Sequence, residues 1–154
     1  MKLNCILLID DDRICNYLHE KIIRRLNLSE KILSASNGLE ALKIIQEYYS
    51  QHHVPPELIL LDLKMPVMDG FEFLKKFQEK FPKLISQTQI NIITTSGHPS
   101  DVQKISRLRN ISFYIKPLTD EKIKMICKQL ELVYVKNEEK ITVKSSRIAS
   151  GNKK

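Results

Sequence analysis

The chain has no tryptophan, only four glycines and only three cysteines among its 154 residues. Gly38, Gly70, Gly97 and Gly151 form neither GxGxxG nor GxxxxGK[ST], so the glycine loops that cradle nucleotide phosphates are missing. Cys5, Cys15 and Cys127 are odd in number and lack CxxC spacing, which excludes a disulfide framework and a zinc site. Each is expected to behave as a small core hydrophobe in a reducing cytoplasm. No apolar run approaches the roughly 18 residues that span a bilayer, so no membrane partner is expected. The apolar stretch near the start, Cys5 to Ile9, is too short for a signal-peptide core and runs straight into three aspartates. At roughly 150 residues per domain the length allows one domain.

Charge needs care. Lys and Arg outnumber Asp and Glu by 25 to 18, a net charge of +7 that could suit nucleic acid. From Glu131 to Lys154, however, six basic residues meet three glutamates, so a good part of the excess sits in one terminal segment. Lys136, Lys140, Lys144, Arg147, Lys153 and Lys154 lie among Ser, Asn and Gly without aromatic interleaving. Residues 133–154 are read as a basic, flexible tail on a domain at 1–132, and nucleic acid is not the expected partner.

What is present is alternation. Apolar runs at Cys5–Ile9, Lys31–Ala35, Leu58–Leu61, Ile90–Thr94 and Ser112–Lys116 read as five strands. Between and after them lie helical stripes: Ile14, Leu18, Ile22 and Leu26, with Asp12 as N-cap; then Leu39, Leu42, Ile45 and Tyr49. Phe71, Leu74, Phe77 and Phe81 make the third, Val102, Ile105 and Leu108 the fourth, and Ile123, Ile126, Cys127 and Leu130 the fifth. Strand and helix in strict turn imply parallel strands joined by right-handed crossovers. The expected fold is α/β: a doubly wound five-stranded parallel sheet with five helices.

Ligands of such sheets bind beyond the carboxyl ends of the strands. Those ends carry Asp10, Asp11 and Asp12 on the first strand, Asp62 on the third, Thr94 and Thr95 on the fourth, and Lys116 on the fifth. Clustered carboxylates repel unless a cation joins them, and oxygen ligands of this kind suit Mg²⁺. Asp62, alone at the end of the most apolar strand, suits a carboxylate nucleophile that forms an aspartyl phosphate. Lys116 and the Thr94 hydroxyl would then meet the oxygens of a transferring phosphoryl group.

Leu8-Ile9-Asp10-Asp11-Asp12, Leu61-Asp62-Leu63-Lys64-Met65-Pro66-Val67-Met68-Asp69-Gly70, Thr94 and Lys116-Pro117-Leu118 resemble the receiver domain of two-component response regulators. The resemblance runs from about Lys2 to Leu132 and implies a flavodoxin-like strand order 2-1-3-4-5. It makes Asp62 the phosphoacceptor, with Mg²⁺ held by Asp11, Asp62, the Lys64 backbone carbonyl and, less directly, Asp10. Lys116 matches the family's lysine, Pro117 its cis-proline, Thr94 its switch hydroxyl and Phe113 its switch aromatic. Thr94-Thr95-Ser96 offers two registers for that hydroxyl, and Thr94 is preferred because it completes the strand.

The resemblance also implies donors and surfaces. The phosphodonor would be a sensor histidine kinase or histidine phosphotransfer protein, and the output an unknown protein target. Kinases usually dock on the first helix, which is expected to expose Arg13 and Asn16. With only about 22 residues after Leu132, a stand-alone, chemotaxis- or phosphorelay-type regulator is expected rather than an enzyme. A phosphohydrolase using an aspartyl phosphate would generally want a second aspartate two residues after the nucleophile, where Lys64 stands. Single members of the set have plainer readings: Asp12 and Asp69 as helix caps, Thr94 and Phe113 as packing, Lys116 as a surface lysine. His52 and His53, in a proline-rich loop without ligand partners, carry no metal role. The conjunction is what points to function.

Overall fold

A computed structural model describes residues 2–95, 97–108 and 111–150, without the side chains of residues 134 and 137–150. The elements are β1 (Leu3–Ile9), α1 (Arg13–Arg25), β2 (Ser29–Ala35), α2 (Gly38–His52), β3 (Leu58–Leu61), α3 (Gly70–Lys80), β4 (Gln89–Thr94), α4 (Pro99–Ser106), β5 (Ile111–Ile115) and α5 (Asp120–Ser150). A short 3-10 turn, Ile85–Gln87, precedes β4. The five strands are parallel in the order β2-β1-β3-β4-β5, the doubly wound architecture expected.

Two apolar layers sandwich the sheet. On one face Ile59, Leu61, Ile90 and Ile92 meet Leu42 and Ile45 of α2, Phe73 and Phe77 of α3, and Ile105 of α4. On the other, Ile6, Leu8, Leu60 and Ile93 meet Ile23 of α1 and Ile123, Ile126 and Leu130 of α5. Strands buried on both sides are therefore nearly continuous runs of Leu and Ile. The α5 helix continues through Ser150, past the boundary at 132; Lys153 and Lys154 of the basic segment lie outside the described residues, as does Ser96.

Helix α1 departs from expectation. Ile14 is 71% exposed and Leu18 52%, while the inward face is Asn16, His19 and Ile23. These follow the i, i+3, i+7 rule of a buried stripe, but two of the three are polar. Burial of Asn16 is compensated in part, by hydrogen bonds from its Nδ2 to the carbonyl oxygens of Asp10, at 3.0 Å, and Ala35, at 3.4 Å; its Oδ1 has no hydrogen-bond partner among the described residues. The expectation that Asn16 is exposed is thus corrected; Arg13 is exposed. Smaller shifts of the same kind put Ala41 and Tyr48 inside α2 and leave Leu39 and Tyr49 outside, and bury Phe73 in α3 as fully as Phe77.

The β3–α3 connection shows how the sequence positions the site. Asp69 caps α3 in a reciprocal capping box with Glu72. Gly70 follows because a Cβ there would stand 2.6 Å from the Asp62 carbonyl oxygen and 2.9 Å from Leu63 Cα. No other residue lets the helix start this close to β3. Val67 has φ +68° and is 76% exposed, and Met68 N–H donates to the Pro66 carbonyl across it at 2.8 Å. That is a γ-turn with a β-branched residue in the left-handed region, a strained combination. Val67→Asn is expected to stabilise the fold by roughly 1 kcal/mol. Urea denaturation measures it, and an unchanged or lower midpoint would show that the turn is not strained.

Candidate functional site

Backbone hydrogen bonds carry the sheet one residue beyond β1, β3 and β5 at its carboxyl edge. Asp10 N–H donates to the Ala35 carbonyl, Asp62 N–H to Ile9 at 2.8 Å, and Lys116 N–H to Thr94 at 2.9 Å. The side chains that follow β1, β3 and β5 are therefore set by strand register, not by loop conformation. Asp10 and Asp62 are buried, whereas Asp11 is exposed. One carboxylate oxygen from each of Asp10, Asp11 and Asp62 falls within 4.8 Å of the others.

Lys116 enters this cluster from β5. Its Nζ hydrogen-bonds Asp10 Oδ2 and lies 3.7 Å from Asp62 Oδ1. Asp10 Oδ1 accepts from the Asp12 backbone N–H at 2.9 Å, so both Asp10 oxygens are engaged. Asp12 in turn caps α1, accepting from the N–H groups of Ile14 and Cys15. Burial lowers the affinity of the Lys116 ammonium for its proton, but the hydrogen bond and charge of Asp10 and the charge of Asp62 outweigh it and hold the group above its ordinary value. The Lys116–Pro117 peptide bond is cis.

Thr94 ends β4 fully buried, whereas Thr95 is exposed. Phe113, aligned with Ile92 across the β4–β5 ladder, is half-buried against the α3–α4 core. The Lys64 side chain is exposed beside the acceptor position. Asp10, Asp11, Asp62 and Lys116 are thus brought together, and Thr94 stands on the adjoining strand. Sequence reasoning missed the support beneath them: Asn16 and His19, polar residues on the inward face of α1. His19 Nε2 lies 4.0 Å from Cys15 Sγ. Their i, i+3 spacing with Ile23 was the available signal, masked by the more hydrophobic outward stripe.

A sheet of this topology with an acidic cluster and a lysine at its carboxyl edge defines a receiver-type α/β domain. The chain belongs to the response regulator receiver domain family, whose model matches residues 6–128. Sporulation initiation phosphotransferase F of Bacillus subtilis is 29% identical over 120 residues, covering 77% of this chain and 86% of that protein. The probable C4-dicarboxylate response regulator DctR of Priestia megaterium is 26% identical over 145 residues, 94% of this chain and 59% of the relative. A two component response regulator from Cytophaga hutchinsonii superposes with a TM-score of 0.77 at 29% identity, over 84% of this chain and 98% of that one. Vibrio cholerae chemotaxis protein CheY4, at 23% identity and TM-score 0.69 over 83% of this chain and 98% of its own, shares the fold. The chain spans 50–59% of the length of several curated relatives it matches. Members of this family receive phosphoryl groups from kinases or phosphotransfer proteins and typically bind Mg²⁺ in an acidic pocket. The donors here fit that ion: a cluster of carboxylate oxygens without sulfur or imidazole suits a hard cation. Among the described residues, no helix is long and apolar enough to cross a membrane.

Burial is the largest influence on the Asp62 carboxyl and pushes it up; Lys116 opposes, Asp10 adds to the rise, and the outcome is about 6. Its unperturbed value is 3.8, so between about pH 4 and 6 the folded chain holds a proton that the unfolded chain has lost. Ionisation above that range therefore costs stability. Asp62→Asn is expected to stabilise the metal-free protein at pH 7 by on the order of 2 kcal/mol, with the gain disappearing towards pH 4. Denaturant titrations in a chelator at both pH values measure this. A destabilised variant at pH 7 would contradict the electrostatic account.

Proposed function

We propose that the chain is a phosphoacceptor: Asp62 takes a phosphoryl group from a phosphohistidine of a sensor histidine kinase or histidine phosphotransfer protein. The observation that carries this reading is Lys116, whose ammonium lies 3.7 Å from Asp62 Oδ1 in a pocket where three carboxylates converge. An Asp62 oxygen attacks phosphorus, a new P–O bond forms and the P–N bond breaks. The released electron pair returns to the donor imidazole, which is reprotonated. Above pH 6 the Asp62 carboxylate is largely ionised and available as nucleophile. Water attack on phosphorus later frees phosphate and restores the carboxylate.

In this reading Asp11, Asp62 and the Lys64 carbonyl hold Mg²⁺ directly. Asp10 acts less directly, because its two oxygens are already engaged by Asp12 N–H and Lys116. When bound, the ion neutralises charge on the phosphoryl oxygens. The Lys116 ammonium and the Thr94 hydroxyl stabilise the remaining oxygens. Attraction of Thr94 to the new phosphoryl group draws Phe113 after it and reshapes the surface of α4, β5 and α5, which an unidentified protein target reads. The protein works as a cytoplasmic signalling element that promotes its own phosphorylation and dephosphorylation, not as an enzyme on outside substrates. We assign the receiver to 1–132 and a basic extension to 133–154.

The exposed apolar face of α1 supports a donor-docking role. Ile14, Tyr17 and Leu18 are exposed, and Leu18 lines a cleft of about 710 Å³ bounded by Lys116, Pro117 and Leu118. Lys21, Arg24 and Arg25 line its edge. A donor helix seated there would bring its phosphohistidine to the Asp62 edge of the sheet.

Intact-mass spectrometry with acetyl phosphate tests the proposal. One phosphoryl adduct is expected that requires Mg²⁺, decays in hydroxylamine and is absent from Asp62→Asn. Leu18→Glu is expected to keep this labelling and to lose at least about tenfold in the rate of transfer from a phosphorylated histidine donor. An adduct on folded Asp62→Asn would overturn the assignment of the acceptor, and equal loss with both donors would overturn the docking face.

A further inference from the structure

Asn16 occupies a buried place on α1 at a cost that packing does not repay. It shares the inward stripe with His19 and Ile23 and is 8% exposed, yet its Oδ1 has no hydrogen-bond partner among the described residues. An unpaired buried oxygen is destabilising, and an apolar residue of similar size would avoid it. What an apolar residue would not supply is the Nδ2 donor.

That donor serves the acidic edge of the sheet. Asn16 stands one turn after the Asp12 cap, its backbone N–H bonded to the Asp12 carbonyl at 3.1 Å. Helical side chains lean back toward the amino terminus of their helix, which carries the amide toward the end of β1. Its Nδ2 donates to the Asp10 carbonyl at 3.0 Å and makes a longer contact with the Ala35 carbonyl at 3.4 Å. Asp10 N–H donates to that same Ala35 carbonyl at 3.1 Å. Asp10 is thus held at every polar atom: its N–H by β2, its carboxylate by Asp12 N–H and Lys116, and its carbonyl by Asn16.

The Asp10 carbonyl belongs to the peptide plane that leads into Asp11. Peptide units are rigid, so fixing that oxygen fixes the direction in which the Asp11 N–H and Cα leave the plane. Asp11 is exposed, yet one of its carboxylate oxygens lies within 4.8 Å of those of Asp10 and Asp62. Packing does not seat that side chain; the plane before it does. We propose, on the reading that Asp11 and Asp62 ligate Mg²⁺, that Asn16 is a positioning residue of the metal site. It holds the Asp10–Asp11 peptide plane so that the Asp11 carboxylate is presented to the ion. Asn16 acts on the ion only through this backbone, and groups that orient metal ligands in this way set affinity.

The test is a Mg²⁺ titration followed by amide resonances on the wild type, Asn16→Leu and Asn16→Ala, with urea unfolding to verify the fold. Asn16→Leu keeps the volume and removes the donor; Asn16→Ala removes the donor without a branched side chain to accommodate. Both are expected to unfold cooperatively and to bind Mg²⁺ about tenfold more weakly. Labelling by acetyl phosphate is expected to slow at low Mg²⁺ and to recover at saturating Mg²⁺. Wild-type affinity in either folded variant, or labelling lost equally at low and saturating Mg²⁺, would overturn the positioning role. Failure of both variants to fold would assign Asn16 to the fold alone and overturn it as well. A wild type whose resonances ignore Mg²⁺ would instead overturn the metal reading, and this role with it.

Discussion

The structure at the carboxyl edge depends on one cation placed among carboxylates. Asp10 and Asp62 are buried at the ends of adjacent strands, and Asp11 brings a third negative charge within 4.8 Å. Without compensation that arrangement would force protonation or separation. Lys116, contributed from the far side of β4, supplies the compensation by reaching both Asp10 and Asp62. The strand order makes this possible, because β1 and β3 are neighbours while β5 lies at the edge with only β4 between. Incomplete neutralisation is equally important. With Lys116 in place Asp62 still binds its proton up to about pH 6, chiefly because it is buried, with the neighbouring Asp10 charge adding to the rise. In the proposed reading, the carboxylates would hold a divalent ion and the lysine would meet the phosphoryl oxygens.

Much of this was legible because the chemistry falls where periodicity breaks. Each apolar strand stops at a polar residue, so Asp10, Asp62, Thr94 and Lys116 declare themselves as strand ends, and the five-fold alternation gives the sheet order once the family is recognised. Asp12 and Asp69 were legible as caps for the same reason. The orientation of α1 was not. Ile14 and Leu18 recur at helical spacing and are more hydrophobic than Asn16 and His19, so any reading by hydrophobicity turns the helix outside in. The decisive factor is local: Asn16 donates to the Asp10 carbonyl at the end of β1. Hydrogen-bond demand from a neighbouring strand end has no signature in the sequence of the helix that meets it.

The same error, reversed, is informative. Apolar residues that a helix does not bury remain for another surface, and Leu18 of α1 borders the Lys116–Leu118 cleft. Buried polar residues, Asn91 within β4 and Thr88 just before it, lie at the opposite pole. In both places simple amphipathic patterning is broken. Val67 belongs to the same group: an exposed β-branched residue held at positive φ, in the turn that positions Asp69 and Gly70 under the acceptor strand.

The most direct test of the central claim is a crystal structure of the chain grown with Mg²⁺ and beryllofluoride, which mimics a phosphoryl group on a carboxylate. The account predicts beryllium bonded to an Asp62 oxygen and Mg²⁺ between Asp11, Asp62 and the Lys64 carbonyl. It also predicts the Lys116 ammonium moved from Asp62 onto a fluorine, with the Thr94 hydroxyl on another. Beryllofluoride on a different carboxylate, or a Lys116 that stays paired with Asp10 and Asp62 while the fluorines go without it, would contradict the account.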